Sequence, residues 1–310
     1  MVAARPVEVS GAQRPKVLRP GDRIALVAPS SPFDSERLGR VEAFLEQCGF
    51  QTIIGRHSLN RTGYLAGTDV DRAGDLVAAL EDPAIAAIVC IRGGYGSNRL
   101  LPYLPFQSLK KHTKLLIGYS DITFLHLAFR KSMGWVTFHG PNLVEWEDDA
   151  FENGRRVLAG LHGECGFSWG FEEAQVLRPG LAAGVLLGGN LTCLSHLLMT
   201  PFCPDFDGAL LMLEDRGEAL YRLDRQVTQL RLAGLFDRIQ GLILGQFQDC
   251  GPIEDVWEMV RHQLAGFSIP VVAGLPFGHG VANELLPLGI RYSLNTYDGV
   301  FRAEERPFTQ

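Results

Sequence analysis

At 310 residues, with 46% hydrophobic and 21% charged side chains, the chain is long enough for two cores and too apolar for wholesale disorder. A net charge of −6 argues against nucleic acid or an anionic membrane as main partner, and no apolar run reaches the length of a membrane span. Six scattered cysteines without a C-x-x-C pair predict reduced thiols, no structural zinc and a cytoplasmic location.

Residues 1–16 mix Arg, Glu, Gly and Pro without an apolar h-region, so they read as a flexible tail and not as a signal peptide. Residues 23–28 read as a buried strand ending at Pro29-Ser30-Ser31-Pro32. Leu38, Val41, Phe44 and Leu45 recur at helical spacing, with Gly49 placed to follow the helix C-terminus. Residues 51–54 form a second strand. Thr68 can cap a helix carrying Leu76, Val77 and Leu80 that stops before Pro83. Residues 86–91 and 114–118 are a third and a fourth strand, and Cys90 reads as a small buried hydrophobe. Apolar strands separated by helices predict a parallel sheet covered on both faces. The rhythm is lost between 145 and 179. It returns as strands at 183–187, 209–213 and 242–244, with a helix over 221–233 between the last two. Residues 286–294 and 299–302, around the Asp298-Gly299 turn, predict an antiparallel finish.

Four short segments could carry chemistry. Gly118-Tyr119-Ser120-Asp121 closes the fourth strand and opens a helical pattern (Ile122, Leu125, Phe129). Ser120 there is either a helix cap or a hydroxyl exposed beside unpaired backbone N–H groups, the geometry of a nucleophile. Arg92-Gly93-Gly94-Tyr95-Gly96-Ser97 follows the third strand, and is a bare turn or a loop whose backbone can approach a substrate closely. As a dinucleotide fingerprint it is incomplete, since Arg99 stands where the third Gly belongs; a P-loop is absent. Glu214, the first polar residue after the 209–213 run, could orient a base or belong to a solvated acidic loop. His279 lies between two glycines, and is either simply exposed or reachable by reacting groups. His139, in His139-Gly140-Pro141, lines a pocket or closes a turn. No paired metal-ligand spacing exists. Serine, acid and histidine thus occur in the order Ser120, Glu214, His279, which supplies the three roles of a Ser–His–acid relay.

The chain resembles the LD-carboxypeptidase family of serine peptidases, which includes muramoyltetrapeptide carboxypeptidase and the microcin C self-resistance hydrolases. The resemblance covers about 18–295. It rests on Pro20-Gly21-Asp22-Arg23-Ile24, Ala28-Pro29-Ser30, Tyr64-Leu65-Ala66-Gly67-Thr68-Asp69 with Arg72, and Arg92-Gly93-Gly94-Tyr95-Gly96. It continues through Gly118-Tyr119-Ser120-Asp121, His139-Gly140-Pro141, Gly188-Gly189-Asn190, Glu214-Asp215-x-Gly217-Glu218 and Gly274-x-Pro276-x-Gly278-His279. It implies an α/β fold: an N-terminal parallel-sheet α/β layer domain and a smaller C-terminal mixed β-rich domain. Ser120 is then the nucleophile of the first domain, and Glu214 and His279 are the orienting acid and the base of the second. A homodimer is implied, with no metal or cofactor, acting on muropeptides or small peptides to release a terminal D-alanine from cytosolic peptidoglycan tetrapeptides.

On that basis the expected organisation is a tail at 1–16, an N-terminal domain at 17–144, a connection at 145–181 that carries none of these motifs, and a C-terminal domain at 182–310. The backbone N–H groups of Gly94 and Asp121 are expected to hold the oxyanion, while the Asp121 side chain caps the helix. Arg92 is expected to grip the substrate's terminal carboxylate, with Tyr95 beside it as a second substrate contact. The runner-up activity is hydrolysis of aminoacyl-nucleotide-like compounds by the microcin C branch. The non-enzymatic alternative is a nucleotide-binding module built on the glycine loop. A generic α/β-hydrolase is disfavoured, because Ile122 stands where G-x-S-x-G requires Gly.

Overall fold

Strands that are apolar throughout must be covered on both faces, and the first half of the chain builds that arrangement. The computed structural model describes residues 11–147, 149–171 and 175–309. Strands β1 (Arg23–Val27), β2 (Gln51–Ile54), β3 (Ile85–Cys90), β4 (Leu115–Gly118) and β5 (Thr137–His139) lie parallel in the order β5-β4-β3-β1-β2. The helix Ser35–Gln47 starts at Asp34, whose side chain accepts from the Glu36 N–H at 3.1 Å. The helix Asp69–Glu81 starts at Thr68, whose hydroxyl accepts from the Asp71 N–H at 3.2 Å. Both are N-caps, each satisfying a donor the helix leaves open. Gly49 adopts φ 87° just past the first helix, as its place in the sequence predicts.

The second half holds β6 (Ser168–Gly170), β7 (Gln175–Arg178), β8 (Leu181–Asn190), β9 (Leu210–Arg216), β10 (Gly241–Gln248), β11 (Val271–Ala273), β12 (Leu286–Leu288), β13 (Arg291–Asn295) and β14 (Val300–Ala303). All but β12 form one sheet, in the order β6-β14-β13-β8-β9-β10-β11-β7. Its centre, β8 to β11, is parallel, and the flanking strands are antiparallel.

Two features depart from the sequence reading. The antiparallel finish holds for β13 and β14, but β12 leaves it and pairs antiparallel with β5 at the edge of the first sheet, Leu286 opposite His139. Pro287 has no N–H to give a ladder, which suits an edge strand, and Gly289 at φ 90° turns the chain toward β13. The segment without rhythm contains a helix, Glu152–Leu161, and the two strands that end the second sheet. Its signal is masked by glycine. A Cβ at Gly154 would come within 2.8 Å of the Phe44 ring, and one at Gly160 within 2.7 Å of Leu285, so close packing demands glycines on the apolar face. Residues 11–16 run beside β5, with the Gln13 N–H donating to the Gly134 carbonyl at 2.8 Å; residues 1–10 of the expected tail lie outside the described residues.

Both hydrophobic clusters mix side chains from the two sheets. One joins Ile88, Phe124 and Leu125 with Leu187, Leu194 and Leu213; the other joins Val89, Ile117 and Phe138 with Leu186, Met212 and Phe277. The halves are therefore packed against each other through apolar core, which fixes where their loops meet. Close approach within the second sheet depends on Gly188, at φ 134°, where a Cβ would overlap the Met212 backbone. Gly188→Ala is expected to cost about 3 kcal/mol or more. Gly74→Ala, in an exposed helical position with nothing within 4 Å of the added Cβ, should gain about 0.5–1 kcal/mol. Urea unfolding of the two variants checks both signs.

Candidate active site

β3 and β4 are neighbours, so the loops after them meet at one edge of the sheet, where open α/β sheets place ligands. β4 ends at Gly118, and the chain makes a single 3-10 turn, Ser120–Ile122, before the helix Thr123–Met133. Ser120 sits at φ 64°, a left-handed conformation that a non-glycine residue adopts at a cost of about 1–3 kcal/mol. Its side chain caps nothing, and among the described residues no group hydrogen-bonds its Oγ. The surroundings hold the turn in place. The Gly118 carbonyl accepts from His126 Nε2 at 2.8 Å and from the Gly140 N–H at 3.2 Å, and the Tyr119 N–H donates to Asn142 Oδ1 at 3.3 Å.

Asp121 does not cap the helix with its side chain. Its buried carboxylate accepts from Ser30 Oγ at 2.6 Å and from the Ser97 N–H at 2.7 Å, while Ser97 Oγ donates back to the Asp121 carbonyl at 2.6 Å. The expectation fails because a carboxylate at this depth is needed to tie the β1 loop, the glycine loop and the serine turn together. Burial pushes the Asp121 carboxyl above its ordinary range, although the Ser30 and Ser97 donors oppose that shift.

The glycine loop packs directly on the serine. A Cβ at Gly93 would lie 3.0 Å from Ser120 Cβ and 3.3 Å from its Oγ, and one at Gly94 would overlap the Ser31 hydroxyl. Gly94, at φ 106°, needs to be glycine, and a side chain at Gly93 would push on the serine. The Gly94 N–H has no partner among the described residues, and the Asp121 N–H opens a helical turn, where donors are left unpaired. The Tyr95 N–H donates to Ser31 Oγ at 3.1 Å, and its half-exposed ring rests 5.8 Å from that of Tyr64. Arg92 is exposed and donates one N–H to the Pro32 carbonyl at 2.6 Å, which aims the guanidinium along the loop.

Glu214 lies inside β9, not just beyond it, and is fully buried. One carboxylate oxygen, Oε2, accepts from His279 Nδ1 at 2.6 Å and from the His279 backbone N–H at 3.1 Å. His279 is 9% exposed, so the loop histidine is drawn into the protein and not left in solvent. A side chain at Gly278, φ 91°, would collide with the Glu214 carboxylate, so that glycine permits the approach. Burial works to raise the Glu214 carboxyl, but the hydrogen bond and charge of His279 outweigh it and hold the group below the usual range. For His279 burial works downward, and the Glu214 hydrogen bond together with the charges of Glu214, Glu145 and Asp215 turns the net shift upward. With Nδ1 committed to Glu214, Nε2 is the nitrogen left to exchange a proton. The Tyr119 ring, one residue before Ser120, packs 4.7 Å from the imidazole, which brings the serine turn and the Glu214–His279 pair to one place.

Three residues without an expected role join the halves. The Asn190 N–H donates to Thr123 Oγ1 at 2.9 Å, and Asn190 Nδ2 donates to Asp215 Oδ1 at 2.9 Å. Asp215 also accepts from the Thr192 N–H at 2.9 Å and its hydroxyl at 2.8 Å; burial, with the charge of Glu214, pushes its carboxyl up to about 6. The signal was present in Gly188-Gly189-Asn190 and in the doubled acid Glu214-Asp215, since a Cβ at Gly189 would overlap Thr123. His139 is fully buried with neither ring nitrogen bonded among the described residues, and its ring meets Tyr119 edge-on at 5.7 Å, so it packs inside the protein beneath the serine turn.

A buried acid–imidazole pair beside a half-buried, strained serine defines a hydrolase-type site, and the relatives give it a family. The LD-carboxypeptidase N-terminal domain matches residues 24–140 and the LD-carboxypeptidase C-terminal domain matches 183–294. The chain belongs to the LD-carboxypeptidase family of peptidases. It is 35% identical to the probable murein peptide carboxypeptidase of Bacillus subtilis, over 91% of this chain and 92% of that one. It is 34% identical to the murein tetrapeptide carboxypeptidase of Pseudomonas aeruginosa, over 86% and 91%. The crystal structure of muramoyltetrapeptide carboxypeptidase from Oxalobacter formigenes superimposes with TM-score 0.79 at 30% identity, covering 90% of this chain and 97% of that one. The fold is also that of MccF, solved in complex with glutamyl sulfamoyl guanosine, at TM-score 0.88 and 24% identity over 96% and 99%.

Asn190→Ala removes the Asp215 bond and the cap on the Cys193 N–H (3.0 Å), and should lower stability by about 2 kcal/mol. Asn190→Asp keeps the cap but sets a second carboxylate against Asp215. Its deficit should therefore be small at pH 5 and grow as pH rises through about 6, where wild-type Asp215 ionises. Urea midpoints across that range read both effects.

Proposed function

We propose that this chain is a serine LD-carboxypeptidase that releases the terminal D-amino acid, D-alanine, from murein tetrapeptides. The observation that carries the reading is the 2.6 Å contact between Glu214 and His279 Nδ1, set through Tyr119 against the Ser120 turn. The names of the relatives from Pseudomonas aeruginosa and Oxalobacter formigenes support the substrate class.

In this mechanism His279 Nε2 takes the Ser120 proton as Oγ attacks the scissile carbonyl. Glu214 holds the imidazole in the tautomer protonated at Nδ1 and stabilises the imidazolium that forms. The N–H groups of Gly94 and Asp121 receive the oxyanion, each donor contributing about 3 kcal/mol to barrier lowering. His279 then protonates the leaving D-amino acid, and a water activated by the same nitrogen resolves the acyl-enzyme. A peptidase that cuts at the C-terminus must also bind a free carboxylate. Arg92, fixed at one N–H by Pro32, has the remaining face of its guanidinium for that contact, with Tyr95 beside it. The organisation we assign is an N-terminal unit over 17–144 and a C-terminal unit over 182–310, so that base and nucleophile come from different units.

Ser120→Ala should reduce D-alanine release from a murein tetrapeptide by about 10⁴-fold or more, and Glu214→Gln by about 10³- to 10⁴-fold without unfolding the chain. Amino-acid release assays on both variants test this, and full activity in Ser120→Ala would sink the reading. A preference for an aminoacyl sulfamoyl nucleoside over the tetrapeptide would instead favour the runner-up activity.

A further inference from the structure

Two groups next to the base have no part in that mechanism. Tyr119 is 5% exposed, and its ring packs 4.7 Å from the His279 imidazole at an interplanar angle of 49°. Its hydroxyl donates to Glu145 Oε1. The other oxygen of Glu145 accepts from the Asn142 N–H at 3.0 Å, closing a capping box on the 3-10 turn Leu143–Glu145. Both oxygens of Glu145 thus accept from donors, the pattern of an ionised carboxylate. Asn142 in turn receives the Tyr119 N–H, so residue 119 is held at both its backbone and its side-chain end by one short segment.

We propose that Tyr119 and Glu145 are positioning residues for His279: the Tyr119 ring braces the imidazole, and Glu145 locks that ring and faces the base with a second negative charge. The inference rests on His279 being the general base.

The geometry gives the pair a task. The imidazole comes from the loop after β11, and the carboxylate hydrogen-bonded to it, Glu214, comes from the same half of the chain. The serine belongs to the other half. The ring that touches the imidazole belongs to the residue directly before Ser120, so it sets where the imidazole lies relative to Oγ. The acidic surroundings of the base come from several elements. Glu214 meets it from β9, Asp215 next along that strand adds its charge from the opposite face, Glu145 lies in the 3-10 turn after β5, and neutral His139, whose imidazole burial pushes down to about 4, is in β5 itself. Burial, with the charge of Glu214, carries the Glu145 carboxyl above its ordinary range, while the Tyr119 and Asn142 donors and the His279 charge oppose that shift and favour the ionised form. A negative Glu145 favours the imidazolium that exists only after Ser120 is deprotonated, so it acts on the transition state more than on the resting enzyme.

The signs follow directly. kcat/KM requires neutral His279 in the free enzyme, and a negative charge nearby raises the pH at which that form appears. Glu145→Gln removes the charge and keeps one oxygen acceptor; with that oxygen on the Asn142 N–H, the amide NH2 can donate to the Tyr119 hydroxyl, so the ring stays tied. The substitution should shift the acid limb of the kcat/KM profile for tetrapeptide hydrolysis to lower pH and lower kcat on the plateau. Tyr119→Phe keeps the ring and removes the lock; kcat should fall about fivefold with KM unchanged. Tyr119→Phe also leaves a buried Glu145 oxygen without its donor, so its urea midpoint should fall. Both variants are therefore assayed without urea, where each is folded, since a purely structural role predicts a stability loss with kcat and the pH profile unmoved. A Glu145→Gln profile that superimposes on wild type, or a Tyr119→Phe enzyme with wild-type kcat, overturns the inference. Ser120→Ala run in parallel separates the two levels: if it is inactive while Glu145→Gln matches wild type, the positioning role falls and the triad stands.

Discussion

A carboxylate with no solvent exposure is unfavourable unless a positive or donating partner is built around it, and Glu214 is met by the His279 imidazole at 2.6 Å. Much of the second half is arranged to make that contact possible. β9 carries the acid into the centre of its sheet, the turn at Gly278 removes the side chain that would block the approach, and the core packing of the two halves keeps water from the pair. Breaking the pair from either side would leave an uncompensated buried charge or a histidine with nothing to orient it.

The serine turn imposes the complementary constraint. Ser120 is held at φ 64° by anchors that lie outside the residue itself: His126 and Gly140 on the Gly118 carbonyl, Asn142 on the Tyr119 N–H, Ser30 and Ser97 on Asp121. Ser30, Ser97 and the Gly140 to Asn142 segment come from three loops at the same sheet edge and His126 from the helix that follows the turn, so the strained turn and the glycine loop are tied into one unit. Thr123, Asn190 and Asp215 then join that unit to the half that holds the base. Strain at a site persists only where the surroundings over-determine it, and here the surroundings are the two halves together.

The periodicity of apolar residues made β1 to β4, their helices and the Thr68 cap legible, because those elements are buried on both faces or amphipathic in a regular way. The Ser120, Glu214 and His279 segments stood out because each follows an apolar run or lies among glycines. What stayed hidden was non-local. Glycines on the packed face of Glu152–Leu161 dilute its apolar stripe, and Pro287 disguises β12, whose partner lies about 150 positions earlier in the chain. The Asp121 side chain reads locally as a cap, and only the fold brings Ser30 and Ser97 to it. Tyr119 lies inside the serine motif and Glu145 in none, but nothing local marks either as a partner of the base, since that meaning arises from a ring contact between segments distant in sequence.

The central claim is that Ser120 is activated by an imidazole supplied from the other half of the chain. The most direct measurement is the pH dependence of covalent labelling by a serine-directed phosphonate, with the adduct located by peptide mass mapping. The account predicts a single adduct at Ser120, formed at a rate that rises as the His279 imidazole loses its proton and that collapses in His279→Ala. An adduct on another residue, or labelling of Ser120 at the same rate with and without His279, would contradict it.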